Sequence, residues 1–196
     1  MHPADAAAIV DFWSQAGPRR WFARDEAFDA QLRERFLDVH FAAARGEFDD
    51  WAATAVGALA LILLLDQIPR NCFRASAHAY ATDGLARFHA ARAIEARLDI
   101  QVDANLRMFF YLPFEHSEQL ADQQLSLELH RSLPGKDADA WARKHYEVIR
   151  RFGRFPHRNR ELGRQNTIEE QRYLDAGGGF GGAGSASLSR DPGCSG

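Results

Sequence analysis

The sequence predicts an all-α, single-domain protein, and three observations support this. Apolar residues recur at helical spacing in nearly every segment, β-branched residues are scarce, and no stretch alternates between apolar and polar residues for long. With 196 residues, 46% of them hydrophobic, the chain can build one core without disulfides or a structural metal. We expect about eight helices in antiparallel pairs, in the tetratricopeptide-like superhelical arrangement that their roughly 35-residue spacing suits.

The N-terminal half reads as three helices. The first should open at Pro3 and close near Gly17. The second has an apolar stripe at helical spacing and should stop at Gly46. This stripe consists of Phe28, Leu32, Phe36, Val39 and Ala43. The third, over residues 54–67, contains an apolar run far shorter than the about 20 residues of a membrane span, so we expect a buried core helix.

The C-terminal half predicts further helices over residues 76–98, 103–111, 117–131, 137–152 and 167–177. Asp83 and Arg87 are spaced as an i,i+4 ion pair on one helix. Thr167 and Glu170 form a capping-box pattern. The helical domain should therefore cover residues 1–176. Of the last 20 residues, eight are glycine and four serine, which predicts a disordered tail over residues 177–196.

Charge is segregated along the chain. The protein has 24 basic and 27 acidic residues, yet residues 151–164 hold five arginines and one histidine against Glu161 alone. A guanidinium matches a carboxylate or a phosphate with a fork of donors. This segment therefore needs anionic partners, which are either internal carboxylates or a bound anion.

Two segments resemble each other: Pro69-Arg70-Asn71, and residues 156–159 with the sequence PHRN. Because proline disfavours the α conformation in the residue before it, each is expected to end a helix and start an ordered turn. The two segments then form either a structural lock or a ligand site, and the sequence favours neither.

Several polar residues fall on otherwise apolar helix faces. Asp66 continues the stripe of the core helix, and His145 and Gln123 lie mid-stripe on theirs. Buried polar groups need partners, so we expect Asp66 to pair with an arginine of one of the two segments and the polar groups to converge on one cleft. The candidate ligand-binding residues are Asp66, Gln67, Arg70, Asn71, Glu115, His116, Glu118, His145, Arg154, His157, Arg158, Asn159 and Arg164.

No catalytic residue can be named from these patterns. His116, Glu118 and His145 are suitable metal ligands by type, but no metal-binding spacing occurs and nearby arginines repel a cation, so no metal is expected. Ser117 lacks the G-x-S-x-G elbow and is explained by helix capping. Acid–base chemistry by carboxylate and histidine pairs stays open. A sequence pI of about 6.2 disfavours nucleic acid as a partner.

Localisation is expected to be cytoplasmic. The chain has only two cysteines, Cys72 and Cys194, and no C-x-x-C motif, which fits a reducing compartment. Residues 1–5 lack the basic and apolar regions of a secretory signal. No membrane partner is expected.

Five segments in order carry a family resemblance: Trp21-Phe22, and residues 61–71, 111–118, 151–159 and 162–164. Over about residues 9–180 the chain resembles the bacterial family called domain of unknown function 924. Ile68 departs from the phenylalanine that we expect at this position. The resemblance implies an all-helical, tetratricopeptide-like fold and implies no reaction, cofactor or catalytic residue.

Two functional hypotheses follow. In the first, the protein binds a small anionic molecule carrying phosphate or carboxylate in an Arg/His/Glu-lined cleft, whether or not it transforms it, and affinity falls as rising pH removes imidazolium charge. In the second, it is a helical-repeat scaffold that binds a peptide or protein partner, and the Arg/His/Asp cluster is purely structural. Arginines that line a cavity favour the first, whereas arginines saturated by internal carboxylates favour the second.

Overall fold

The structure, a computed structural model, describes residues 5–180. These residues form helices and turns without any β-strand, which confirms the all-α prediction. The α-helices are α1 (Ala6–Ala16), α2 (Pro18–Trp21), α3 (Glu26–Ala44), α4 (Ala55–Ile62), α5 (Ile68–Cys72), α6 (Asp83–Glu95), α7 (Leu112–Glu115), α8 (Leu120–Arg131), α9 (Ala140–Phe152) and α10 (Ile168–Asp175). Short 3₁₀ segments lie at Asp49–Ala53, Ala77–Tyr80, Asp99–Gln101, Arg107–Phe110 and Pro156–Arg158. The tetratricopeptide-like arrangement stays a prediction.

The helix ends follow the capping chemistry of the sequence. The Asp25 carboxylate accepts hydrogen bonds from backbone N–H groups at the start of α3, and Gly46 follows the end of that helix with a positive φ, as predicted. The capping box of Thr167 and Glu170 is present at α10. Pro3, the expected start of the first helix, lies outside the described residues. Among the described residues α1 begins at Ala6, and the carboxylate of Asp5 caps it.

The core is built around one long apolar helix. Helices α4 and α5 are joined through a π-helical turn, Leu63–Gln67, so the helix runs without interruption from Ala55 to Cys72. Its 18 residues have a mean hydropathy of 1.3, enough by length and composition to cross a membrane. However, 83% of this segment is buried against the protein itself, packed by α1, α3 and α6. This confirms the prediction of a buried core helix.

Pro69 does not end this helix, contrary to the prediction. In the π-helical turn the Ile68 N–H bonds to the carbonyl of Leu63, five residues back, which widens the backbone ahead of the proline ring. The carbonyl of Leu64 thereby loses its regular helical donor, Ile68, and the carbonyl of Leu65 has none because Pro69 lacks an N–H. The ring Nδ1 of His40 donates to the first at 2.7 Å, and the hydroxyl of Thr82 donates to the second at 2.6 Å.

The predicted helix over residues 76–98 is split. A 3₁₀ segment, Ala77–Tyr80, precedes α6, and the predicted ion pair between Asp83 and Arg87 does not form. Asp83 turns towards the core helix instead, and Arg87 pairs with Asp122 on α8 at 3.1 Å. A tertiary partner outcompetes the local one because an exposed i,i+4 pair stabilises a helix by only about 0.3–0.5 kcal/mol.

Candidate functional site

The π-helical turn Leu63–Gln67 brings a carboxylate into the middle of the protein. The Asp66 side chain has no exposed surface. It accepts a hydrogen bond from the side-chain amide of Gln67 and, at 2.8 Å, one from Nδ1 of His116. Nη1 of Arg70 lies 3.1 Å from the same carboxylate, which confirms the predicted pairing with an arginine.

These partners keep Asp66 ionised. Burial alone would raise the pKa of Asp66, but the charge of Arg70 and the hydrogen bond from His116 outweigh burial and hold the pKa well below its usual range. Since Nδ1 of His116 donates to this carboxylate, Nε2 carries the lone pair of the neutral ring. Among the described residues the ring is hydrogen-bonded through Nδ1 alone.

Arg70 is saturated by protein groups. Its guanidinium donates two parallel hydrogen bonds to Asp83, at 2.8 and 2.9 Å, and a third to the backbone carbonyl of Asp66 at 2.7 Å. Such a bidentate pair fixes the guanidinium plane. Arg70 therefore links the core helix to the start of α6.

Arg158 is not saturated. Its guanidinium lies between the rings of Tyr80 and Phe155, 4.6 and 4.4 Å from their centroids. The carboxylate of Asp83, already bound by Arg70, is 3.5 Å from Nη1, and Nε has no partner. Only 7% of the side chain is exposed. Burial and the charge of Arg70 lower the pKa of Arg158 to about 10, as expected for an under-compensated cation.

Three imidazoles lie close to one another at this place. The His116 and His145 ring centroids are 6.3 Å apart, and Nδ1 of His145 donates to the carbonyl of Trp141 at 2.9 Å. Nδ1 of His157 is buried without a partner. Burial lowers the pKa of all three rings, and neighbouring arginines lower it further, to about 3 for His157. The lowered pKa values favour neutral rings at pH 7, whereas the sequence led us to expect imidazolium charge at this place.

Glu115 forms a second buried layer behind these rings. Burial and then the charge of Asp66 raise the pKa of Glu115 to about 8, so the carboxyl is mostly protonated at pH 7. One oxygen lies 3.2 Å from Nδ1 of His145, and the other lies 3.6 Å from Nε2 of His130. Nδ1 of His130 donates to the carbonyl of Ser126, so Nε2 presents a lone pair towards the Glu115 carboxyl. A neutral acid suits this position, whereas a carboxylate would face that lone pair.

Two arginines of the basic segment serve as internal struts. Arg154 donates to both oxygens of Glu170, at 2.6 and 2.8 Å, and thereby lowers the pKa of that carboxyl to about 2. Arg164 donates to both oxygens of Glu118, at 2.7 and 2.9 Å, and Glu118 also accepts the backbone N–H of Phe155. These pairs hold the basic segment against α10 and against the turn that precedes α8.

Two candidate asparagines also make structural contacts. The amide oxygen of Asn159 accepts from Arg164 at 2.8 Å, and its nitrogen donates to Asn166. Asn71 donates to Asp29 on α3 at 2.8 Å. Asn71 therefore lies in a separate cluster from the histidines and Arg158.

Comparison with known proteins places the chain in a family. The model of a family described as bacterial proteins of unknown function, DUF924, matches residues 9–178. The chain belongs to the DUF924 family. It is also similar to the solved structure of a protein of unknown function, ATU0120, from Agrobacterium tumefaciens, with 54% identity over 87% of this chain and 97% of that chain and a TM-score of 0.84. Curated proteins gave no match.

Residues that the sequence did not single out complete the candidate site of this DUF924 protein. Asp83 was assigned to a local pair, so its contact with the core helix was missed. No sequence pattern marks Tyr80 and Phe155 as contacts of Arg158, because the spacing of an aromatic residue does not distinguish a ring that contacts a cation from a ring in the core. Phe180, interpreted as part of the tail, stacks on His145.

The two described cavities of the DUF924 protein lie elsewhere. One of about 390 Å³ is lined by Glu147, Val148, Arg150, Arg151, Phe152 and Tyr173. The other, of about 270 Å³, is lined by Asp49, Asp50, Ala52, Ala53, Phe88, His89 and Arg92. Within residues 5–180 no group of three metal-ligating side chains is arranged to hold an ion.

Proposed function

We propose that this DUF924 protein is a cytoplasmic protein that binds a small anionic molecule, carrying phosphate or carboxylate, at Arg158 and the neighbouring histidines. The observation that carries this proposal is the incomplete pairing of Arg158. The carboxylates of Asp66 and Asp83 equal the guanidiniums of Arg70 and Arg158 in number, but both carboxylates contact Arg70. Arg158 is left with a single 3.5 Å contact and an unpartnered Nε. A buried cation is costly unless it is paired, and a bound anion supplies the missing partner.

The neutral histidines support the same proposal. Nδ1 of His116 and of His145 donates to protein groups, so each Nε2 is an acceptor; it can bind a hydroxyl of the ligand, or of a protonated phosphate, and thereby orient an anion held by Arg158. The aromatic walls formed by Tyr80 and Phe155 exclude water, which strengthens electrostatic attraction.

The pair formed by Asp66 and His116 adds a chemical capability. A buried carboxylate that binds Nδ1 fixes the ring and leaves Nε2 as a base. A molecule anchored at Arg158 would have this base available for a proton of water or of a hydroxyl group. A hydrolytic or proton-transfer reaction is therefore the enzymatic form of the proposal.

A second candidate function is the helical scaffold, and it rests on the other arginines. Arg70, Arg154 and Arg164 are each paired bidentately with a carboxylate, as a structural lock requires. These pairs account for most of the conspicuous arginines of the chain. In the scaffold hypothesis Arg158 is a further strut, and the partner is a peptide or protein.

A thermal-shift screen separates the two hypotheses. At about 100 times its dissociation constant a ligand stabilises by about 2.7 kcal/mol, or roughly 5–10 °C for a domain of this size. We expect such a shift with phosphate, sulfate, sugar phosphates, nucleotides or di- and tricarboxylates, and we expect Arg158→Met to abolish it. The control is Arg160→Met, because Arg160 is exposed and its side chain makes no hydrogen bond or ion pair with the described residues.

Imidazolium charge should add little to the shift at pH 6.5 or above, since burial lowers the pKa values of His116 and His145. Arg158→Lys provides a second test, because it keeps the charge but loses the fork and should weaken the response. No shift with any anion, or equal shifts in wild type and Arg158→Met, would leave the scaffold as the better hypothesis.

A further inference from the structure

An aromatic side chain from the chain's glycine-rich end lies directly on the candidate site. The ring of Phe180 stacks on the ring of His145, with centroids 3.7 Å apart and planes 10° from parallel. It also meets the edges of Phe155 at 5.9 Å and of His157 at 5.4 Å. Two of the three neutral histidines thus contact one inserted ring, which the proposed anion does not explain.

The segment that delivers this ring fits its surroundings closely. Gly177 and Gly179 have φ values of 82° and 129°, which side chains rarely adopt. A Cβ on Gly178 would lie 2.5 Å from the Tyr173 ring, and one on Gly179 would lie 3.3 Å from the Cβ of His157. The glycines therefore allow a close approach that places Phe180 at a defined position.

Phe180 is nevertheless only loosely held for an aromatic ring. It is half-buried and belongs to a small satellite cluster with Val148, Ile149 and Phe155, apart from the main core. A ring in this setting can leave its place at a small cost, since the loss is mainly one stacked pair.

The Phe180 ring and the incompletely paired Arg158 guanidinium both contact the ring of Phe155. The Phe155 ring contacts Phe180 on one side and the Arg158 guanidinium, at 4.4 Å, on another. A single small molecule can therefore place a planar ring on His145 and a charged group at Arg158. Together they describe a site for an aromatic anion.

We propose that the place held by Phe180 is the ring subsite of the anion site, so that the ligand is an aromatic ring carrying a phosphate or carboxylate group and displaces Phe180 on binding. This rests on the proposed function and specifies its ligand class. Phe180 stands in for the ligand's ring: its contact with His145 is the contact that the ligand makes.

The test is a calorimetric titration of the full-length protein with matched probes. Phenyl phosphate is compared with methyl phosphate, and benzoate with acetate, so that each pair differs in the ring and the two pairs distinguish phosphate from carboxylate. The proteins are wild type, Phe180→Ala, and Phe88→Ala as the control for loss of an exposed aromatic ring. Phe180→Leu, which keeps apolar bulk without a flat ring, provides a second variant.

We expect the ring-bearing probe to bind more tightly than its ringless partner, and Phe180→Ala to tighten it by a further two- to tenfold, about the worth of one stacked pair. Phe180→Leu should give a smaller gain, and Phe88→Ala none. Equal affinities of ringed and ringless probes in Phe180→Ala would overturn the ring subsite while the anion site stands. Absence of binding by every probe in every variant would overturn the anion site as well.

Discussion

At the scale of single residues, Asp66 determines the electrostatics of the candidate site. Its carboxylate has no exposed surface and depends on Arg70 and His116 to remain ionised. Its charge in turn raises the pKa of Glu115, after burial, so that two nearby carboxyl groups take opposite protonation states. Divergent pKa values of this kind are typical of sites that handle protons.

Replacing Asp66 should be costly. Asp66→Ala leaves Arg70 and His116 without their buried partner, a loss of about 3–5 kcal/mol, which lowers the melting temperature by on the order of 10 °C. Differential scanning calorimetry measures this directly. Asp38→Ala is the control, since Asp38 is exposed on α3 and should change stability by less than about 0.5 kcal/mol. A variant Asp66→Ala that melts within a degree or two of wild type would contradict the pairing.

The raised pKa of Glu115 predicts that the contribution of this residue to stability is lost at mildly alkaline pH. Its pKa is raised in the folded state, so the stability that protonation provides is complete below the unfolded pKa of about 4.5 and is lost as pH rises through about 8. The histidines with lowered pKa values act in the opposite sense, because they stay neutral in the folded protein while the unfolded chain still loses imidazolium protons just above pH 6.5. The effect of Glu115 is therefore a difference between two proteins: between pH 6.5 and 8 the free energy of unfolding of wild type should fall by about 1–2 kcal/mol relative to a variant that does not titrate at this position.

The matched variant is Glu115→Gln, which resembles the neutral acid and does not titrate. In urea unfolding, wild type should lose about 1–2 kcal/mol relative to this variant between pH 6.5 and 8, since the histidines contribute equally to both proteins. If the difference in free energy of unfolding between the two proteins does not change over this range, or changes in favour of wild type, Glu115 is ionised in the folded protein.

At the scale of elements, the π-helical turn Leu63–Gln67 is what brings Asp66 and Gln67 to the site. It also lets Pro69 remain inside a helix. The turn leaves the Leu64 and Leu65 carbonyls without helical donors, and the side chains of His40 and Thr82 donate hydrogen bonds to them. Turns of this kind are frequent at functional sites.

Thr82→Val tests that support. The substitution keeps the side-chain shape but removes the donor to the buried Leu65 carbonyl, which should cost about 1–3 kcal/mol in urea unfolding with an unchanged m-value. Thr82→Ser retains the hydroxyl and should recover most of this stability. Equal stability of the valine and serine variants would mean that the carbonyl does not depend on Thr82.

The sequence was sufficient for elements whose signals are local. The stripe of α3, its end at Gly46 and the capping box of α10 were predicted because each depends on residues within one or two turns. The π-helical turn was not, since a shifted hydrogen-bond register leaves no mark in side-chain spacing. The partner of Asp83 was also missed, because the choice between Arg87 and Arg70 is decided by tertiary packing.

At the scale of the whole molecule, the basic segment, residues 151–164, combines structural ion pairs with the proposed anion site. Arg154 and Arg164 fasten it to Glu170 and Glu118, which positions Arg158 between aromatic rings and beside the histidines. In the proposed function the lock and the ligand site, which the sequence offered as alternatives, fall on different residues of one segment. Clustering of arginines was visible in the sequence, but which arginine lacks a full partner depends on where every carboxylate lies in the fold.

The most direct measurement of this assignment is a crystal structure grown with tungstate, a heavy analogue of phosphate whose anomalous signal locates it. We predict a peak within hydrogen-bonding distance of the Arg158 guanidinium in wild type and none there in Arg158→Met. Peaks confined to exposed arginines such as Arg150 and Arg151, or no peak at all, would contradict the anion site.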